Sequence, residues 1–214
     1  MGLFRGRGGV NIRPIALLVL LAALLFSLPS FSEEGYLKPD FNSTYIEAQK
    51  GDAYAQYRLA MMYSAGDGVP QNSEEALIWL HKSAEQGNPY AQHTLGNKYQ
   101  SQKLYKEALD WQGKSAEQGF EYAQFTLGSL YSNKDLGFQN LEEAYFWYLV
   151  LSTYGTTNPV LNPAWSAEEA KKKLSSEQAL NVQKRVKTWK PKTQFPPPNA
   201  REETEKTNAP IQSK

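Results

Sequence analysis

The chain has 214 residues, with 23 Lys+Arg against 22 Asp+Glu and a formal charge of +1. That balance excludes the strong basic excess of a nucleic-acid scaffold. With no cysteine at all, disulfides, thiolate nucleophiles, cysteine-based metal sites and a lipid-modified N-terminal cysteine are excluded as well.

Arg5, Arg7 and Arg13 are the only charges before Glu33. Without them the bases fall from 23 to 20 against 22 acids, so a chain starting at Glu33 is faintly acidic. Residues 15–28 form an almost unbroken apolar run, and Ser30-Phe31-Ser32 then offers small residues to a signal peptidase. A basic start, a short apolar stretch and a small-x-small site predict a secretory signal peptide over residues 1–32. The run falls short of the ~20 apolar residues of a membrane-spanning helix. The expectation is therefore export to the periplasm or medium, with no stable membrane span in the mature form. The alternative is a chain anchored by an uncleaved signal segment.

Residues 41–50 predict a short helix capped by Asn42 or Ser43 and ending in Ala48-Gln49-Lys50-Gly51. It reads as a cap, over residues 33–50, on the N-terminal end of a stack.

From Gly51 the chain repeats itself. Gly51-Asp-Ala-Tyr-Ala-Gln-Tyr-Arg-Leu-Ala60 returns as Gly87-Asn-Pro-Tyr-Ala-Gln-His-Thr-Leu-Gly96 and as Gly119-Phe-Glu-Tyr-Ala-Gln-Phe-Thr-Leu-Gly128. Each copy is followed by a second phrase: Glu75-Ala-Leu-Ile-Trp79, Glu107-Ala-Leu-Asp-Trp111 and Glu143-Ala-Tyr-Phe-Trp147. A recurring unit of this size predicts helix pairs stacked into a solenoid rather than one globular core. Ala55, Leu59, Met62 and Tyr63 share one face of the first helix. Ala60, Gly96 and Gly128 supply small residues where a neighbouring helix crosses closely. Asn72 with Glu75, and Asn140 with Glu143, predict capping boxes for second helices. The middle copy is four residues shorter in its loop, and Leu104 stands where the cap belongs. Gly87, Gly119 and Gly155 end the second helices.

The third copy has Leu149, Val150 and Leu151 where the first has His81, Lys82 and Ser83. That surface requires a cover. Residues 156–191 are expected to provide it as a helical hairpin, with one helix starting at Ser166 and another capped by Ser175 or Ser176 and stopped before Pro191. Residues 192–214, with Pro196-Pro197-Pro198 and many charges, predict a disordered tail.

The pattern Ala-x-x-x-Leu-Gly-x-x-Tyr, then Gly-x-Gly-Val, Ala-x-x-Trp and Ala-Glu-x-Gly, resembles the Sel1-like repeat family of tetratricopeptide-like proteins. Residues 51–155 carry it, in copies at about 51–86, 87–118 and 119–155. Gly66-Asp-Gly68-Val69 is intact only in the first copy. The resemblance implies an all-α, right-handed α/α superhelical solenoid of three repeats with helical N- and C-terminal caps. It also implies a protein-interaction scaffold, in bacteria often exported.

Chemistry is sparse. His81 and Glu85 lie i, i+4, but two ligands make a weak metal site. Glu74/Glu75 and Glu142/Glu143 fit the first turns of helices better than paired acids for hydrolysis. No nucleophile triad, phosphate-cradling loop or dinucleotide fingerprint appears. The basic run Lys184-Arg185…Lys187…Lys190…Lys192 fits the end of a helix. No catalytic residue, cofactor or metal is expected.

Tyr57, His93 and Phe125 occupy one position in successive first helices, which in related solenoids line the concave face. Arg58, with Thr94 and Thr126, and Met61, Asn97 and Ser129 vary beside them. Planar groups repeated along a groove and flanked by varying polar residues suit a peptide. Tyr57, Arg58, Met61, His93, Asn97, Phe125 and Ser129 are thus the expected partner-binding residues; stacking between repeats is the competing account of the aromatics. The expected role is an exported, non-enzymatic adaptor for a protein or peptide in the cell envelope. The alternative is a wall-associated module that recognises glycan or assists an envelope enzyme.

Overall fold

The computed structural model describes residues 40–155 and 161–192. The expected signal segment, residues 156–160 of the expected hairpin and the expected tail from residue 193 lie outside the described residues.

Among the described residues the fold is entirely helical. The helices are α1 (Phe41–Gln49), α2 (Ala53–Ala65), α3 (Ser73–Glu85), α4 (Pro89–Ser101) and α5 (Tyr105–Glu117). There follow α6 (Glu121–Ser132), a 3-10 turn (Lys134–Leu136), α7 (Leu141–Tyr154), α8 (Pro163–Lys171) and α9 (Ser176–Thr188). Each of α1 to α7 packs on the next, and α8 and α9 both pack on α7. The pairs α2/α3, α4/α5 and α6/α7 are the three repeats, so the chain is an all-α helical-repeat solenoid.

Three buried glutamines tie the repeats together. Gln56, Gln92 and Gln124 each donate through Nε2 to a carbonyl at the end of the preceding helix. The acceptors are Ala48, Ala84 and Ala116 at 3.1, 3.1 and 3.2 Å. Gln86 and Gln118 extend the ladder by donating to Gln56 and Gln92 at 2.6 and 2.8 Å. A helix leaves its last carbonyls without partners, and in a stack those ends are shut away from water. Each of these carbonyls accepts one backbone bond, from Gly51, Gly87 or Gly119, and the glutamine of the repeated Ala-Gln pair supplies a second donor.

The small residues make room for side chains rather than for a backbone. A Cβ on Gly96 would lie 2.7 Å from the Gln112 amide, and one on Gly128 would lie 2.7 Å from the Tyr148 ring. Gln112 and Tyr148 hold one position of successive second helices; in the first repeat Leu80 stands there, and Ala60 suffices opposite. Bulk on one helix is matched by its absence on the other.

The loops close by one bond despite unequal lengths. The backbone N–H groups of Asn72, Leu104 and Asn140 donate to the carbonyls of Tyr63, Tyr99 and Tyr131, each at 2.9 Å. The four-residue deletion thus leaves the start of the second helix in place. The tight loop forces Lys103 to φ 61°, a conformation that favours glycine.

Several cap assignments change. Asp40, not Asn42 or Ser43, caps α1, accepting from the Ser43 N–H at 2.8 Å. Asn72 and Asn140 do cap α3 and α7. Glu143, expected to close a capping box, turns instead to Arg185 at 2.8 Å. The full reciprocal box occurs at Ser175 and Gln178 on α9. Helix α8 begins at Pro163, three residues before Ser166, with Asn162 as its cap.

In the third repeat Val150 and Leu151 are buried, and Val150 belongs, with Leu149 packed alongside, to a cluster that includes Ala167, Ala170, Ala179, Val182 and Val186 of α8 and α9. Tyr154 takes the place of Gln86 and Gln118. Its hydroxyl lies within hydrogen-bond distance of two carbonyls where α9 ends, Val186 and Trp189, at 3.1 and 2.9 Å. The rung that would have held a fourth repeat holds the hairpin instead.

Candidate aromatic binding face

The N-terminal halves of the first helices bring their rings together. Tyr90 lies 5.9 Å from both Tyr54 and Tyr57, centroid to centroid, and 4.8 Å from Phe120. Phe120 in turn meets His93 at 5.3 Å and Tyr122 at 5.6 Å, and His93 lies 6.2 Å from Tyr122. Six rings from α2, α4 and the start of α6 therefore form one connected row. Their tilted and edge-on geometries are those that aromatic pairs prefer. Tyr57, Tyr90, His93 and Phe120 are half-buried, and Tyr122 keeps 46% of its surface exposed. Burial, and after it the neighbouring Tyr57, raises the pKa of the Tyr90 hydroxyl.

His93 is held in a closed ring of hydrogen bonds. Its Nδ1 pairs with Gln112 Oε1 at 2.9 Å and its Nε2 with Asn97 Nδ2 at 2.9 Å, while Gln112 Nε2 donates to Asn97 Oδ1 at 2.8 Å. The amide groups dictate the tautomer: Nδ1–H donates and Nε2 accepts. A second proton on Nε2 would face the Asn97 amide donor. Burial lowers the pKa of His93, and the Gln112 bond offsets this in part. The imidazole is a fixed neutral plate.

Of the seven expected residues, the structure joins Tyr57 and His93 through Tyr90 and Phe120. Arg58 and Asn97 are exposed, and Met61 is half-buried. Phe125 is not part of the row: it packs 5.5 Å from Tyr148 on α7. Ser129 and Asn97 line a separate open cleft of 460 Å³ with Gln100, Tyr105 and Asn133. Met61 and Thr94 line a smaller one, 120 Å³, with Leu77 and Lys98. Two of the three aromatic positions thus belong to one surface and the third to packing within its own repeat.

Sequence reasoning missed Tyr54, Tyr90, Tyr122 and Phe120. The tyrosines stood in plain sight, as the fourth residue of each Gly-x-x-Tyr-Ala-Gln phrase, and were absorbed into the repeat pattern. Phe120 was the sharper signal. At its position Asp52 and Asn88 cap α2 and α4 through bonds to Ala55 N, Tyr90 N and Ala91 N. Phe120 makes no side-chain cap for α6. A cap of this kind contributes about 1 kcal/mol, and here a ring stands in its stead.

No three acidic or histidine side chains among the described residues come together to hold a metal ion. His81 instead stands edge-on to Tyr99 and Trp111 at 6.4 and 6.3 Å. Of the basic run, Arg185 pairs with Glu143 and Lys192 with Glu117 at 2.7 Å. No described helix is long and apolar enough to cross a membrane.

Residues 53–88 and 121–149 match the Sel1 repeat family; they cover the first and third helix pairs. A sel1-like repeat-containing protein of Acanthamoeba polyphaga mimivirus is 42% identical over 45 residues, which span 21% of this chain and only 8% of the viral protein. Among solved structures, a Sel1 repeat protein from Oxalobacter formigenes is 29% identical, covering 66% of this chain and 95% of that one, with a TM-score of 0.45. A protective antigen of uropathogenic Escherichia coli strains, displaying an SLR fold, is 25% identical over 81% of this chain and 44% of its own, with a TM-score of 0.40. With its helix pairs built on the repeated Ala-Gln ladder and the first and third of them matched by the family pattern, the chain carries Sel1-like repeats.

Proposed function

We propose that the protein is a non-enzymatic scaffold that binds an extended peptide or exposed segment of a protein partner along the first helices. Sel1-like repeat proteins typically serve as protein-interaction scaffolds. The observation that carries the finer reading is the row of six rings, and within it Phe120, which forgoes a helix cap to join the row. Rigid aromatic planes present apolar area at little entropic cost, and exposed Arg58 and Asn97 flank them with polar groups.

The arginine-bearing start, the apolar run over residues 15–28 and Ser30-Phe31-Ser32 support export, so the partner is placed in the cell envelope. N-terminal sequencing of protein purified from its native cells is expected to begin at Glu33; a start at Met1 points to the uncleaved anchor.

Photo-crosslinking in cells from position 58, with position 187 on α9 as control, tests the binding face. The expected result is a discrete protein adduct from position 58 alone. Equal labelling from both positions removes the proposal. Absence of an adduct together with co-sedimentation of the protein with purified cell wall shifts the assignment to glycan recognition.

A further inference from the structure

The chain does not leave the fold at the end of α9. Beyond Thr188, Trp189 packs 6.3 Å from Trp147 and 5.3 Å from Tyr154. Pro191 then settles against the α5–α6 turn, where a Cβ on Gly119 would lie 3.5 Å from the Pro191 Cβ. Lys192 is fastened twice to one residue: its backbone N–H donates to the Glu117 carbonyl at 2.8 Å, and its ammonium to the Glu117 carboxylate at 2.7 Å. The last described residues are therefore delivered to Glu117 and Gly119, immediately before Phe120 at the centre of the aromatic row.

The sequence that continues from this anchor is Thr193-Gln194-Phe195-Pro196-Pro197-Pro198. A proline triplet favours the polyproline II helix, which loses little entropy on binding and docks into aromatic-lined grooves. Only two residues, Thr193 and Gln194, spanning at most about 7 Å, separate the anchored Lys192 from Phe195. In a polyproline II helix four residues cover about 12 Å at ~3.1 Å per residue. The row from Tyr122 through Phe120 and Tyr90 to Tyr57, in steps of 5.6, 4.8 and 5.9 Å, accommodates that length.

We propose that Phe195-Pro196-Pro197-Pro198 lies on the Tyr57–Tyr90–Phe120–Tyr122 row as an intramolecular occupant, which a partner's peptide displaces. The inference rests on the reading of this face as a peptide-binding surface and adds its first ligand chemistry: a proline-rich segment led by an aromatic residue. A short tether from Lys192 presents the segment at an effective concentration on the order of millimolar. Partners must outcompete it, which sets a threshold for binding.

The test uses the purified full-length chain with p-benzoylphenylalanine in place of Tyr122. Irradiation is expected to give an intramolecular adduct within residues 195–198, located by mass spectrometry. A companion chain with Phe195, Pro196, Pro197 and Pro198 all changed to Gly keeps the tether but loses the recognition elements. Its tail adduct is expected to fall about tenfold, and it is expected to capture a synthetic Thr193–Ala200 peptide at 0.1 mM about tenfold better than the native tail allows. Equal tail adducts in both chains, or equal capture of the added peptide, overturns the proposal, because proximity alone then explains the contact. A protein adduct in cells from position 58 with no tail adduct from position 122 removes the tail as occupant and leaves the scaffold reading standing. The reverse pair keeps the tail contact and removes the scaffold reading.

Discussion

Gly96 and Gln112 form a matched pair whose logic can be tested directly. Adding a methyl group at Gly96 drives it into the Gln112 side chain, to 2.7 Å. Overpacking of this kind costs about 1–3 kcal/mol, so Gly96→Ala is expected to lower the urea midpoint accordingly. Combining it with Gln112→Leu recreates the Ala60/Leu80 pair of the first repeat. Gln112→Leu by itself also strands His93 Nδ1 and Asn97 Oδ1, so the double variant is expected to lose less than the sum of the two single changes rather than to regain full stability. Purely additive losses in the double-mutant cycle would show that Gly96 serves a backbone approach instead. His93 gives a second residue-level test. Burial lowers its folded pKa below 6.5, so the unfolded chain binds the proton more readily. The contribution of neutral His93 is complete above pH 6.5 and is lost as pH falls from there toward the lowered folded value. The slope is at most about 1.4 kcal/mol per pH unit. Equilibrium unfolding between pH 7.5 and 5 is expected to show this decline, and His93→Gln to flatten it; an unchanged profile would separate His93 from the effect.

At the scale of the helix, α6 carries a conflict between stability and surface chemistry. Asp52 and Asn88 cap their helices, and Phe120 at the same position makes no side-chain cap. Phe120→Asp and Phe120→Ala both lose the ring's packing on the core, and Phe120→Asp is expected to be the more stable of the two by about 1 kcal/mol in urea unfolding because it regains the cap. The same change is expected to remove crosslinking of partner or tail, since the ring joins Tyr90, His93 and Tyr122. Equal stability of the two variants would mean that no cap forms at this position. The helices were legible in the sequence because Ala-Gln, Ala-x-x-Trp and the glycines recur at fixed spacing, and each recurrence has a local physical cause. Caps were less legible: Ser175 was among the expected ones, but Asp40 and Asn162 depend on where the chain enters a helix, and polar residues a few positions away look equally suitable. The aromatic row was half legible. Tyr57 and His93 are paired by register alone, but their link through Tyr90 and Phe120 depends on tilt between neighbouring repeats, which no single repeat encodes. Phe125 shares their register, yet the next second helix offers it Tyr148, where the middle repeat offers His93 Gln112.

The whole molecule is a one-dimensional stack, and its two ends differ. The cluster around Leu59, Leu95, Trp79 and Leu80 spans the first repeats, whereas Tyr145, Trp147 and Val150 form another with α8 and α9. The substitutions that end the stack are visible in the sequence: Ser83 and Ser115, whose hydroxyls reach the first-helix carbonyls of Ala53 and Pro89, become Leu151, and the Gln86/Gln118 rung becomes Tyr154. These replacements make the third repeat dependent on its cover. Val182 of α9 is 0% exposed and lies in the cluster with Tyr145 and Val150. Burying a charge there without a partner is costly by several kcal/mol, so Val182→Asp is expected to detach the hairpin and not to be tolerated in place. In a repeat array each unit relies chiefly on its neighbours, and local opening follows such boundaries. Hydrogen exchange is therefore expected to quicken in α7, α8 and α9 of the variant while α2 and α3 stay protected, with α7 exposing Phe146 and Trp147 and the protein self-associating through them. A uniform loss of protection from α1 to α9 would instead mean that the stack unfolds as one body. The hairpin would then be the keystone of the entire solenoid rather than the lid of its last repeat.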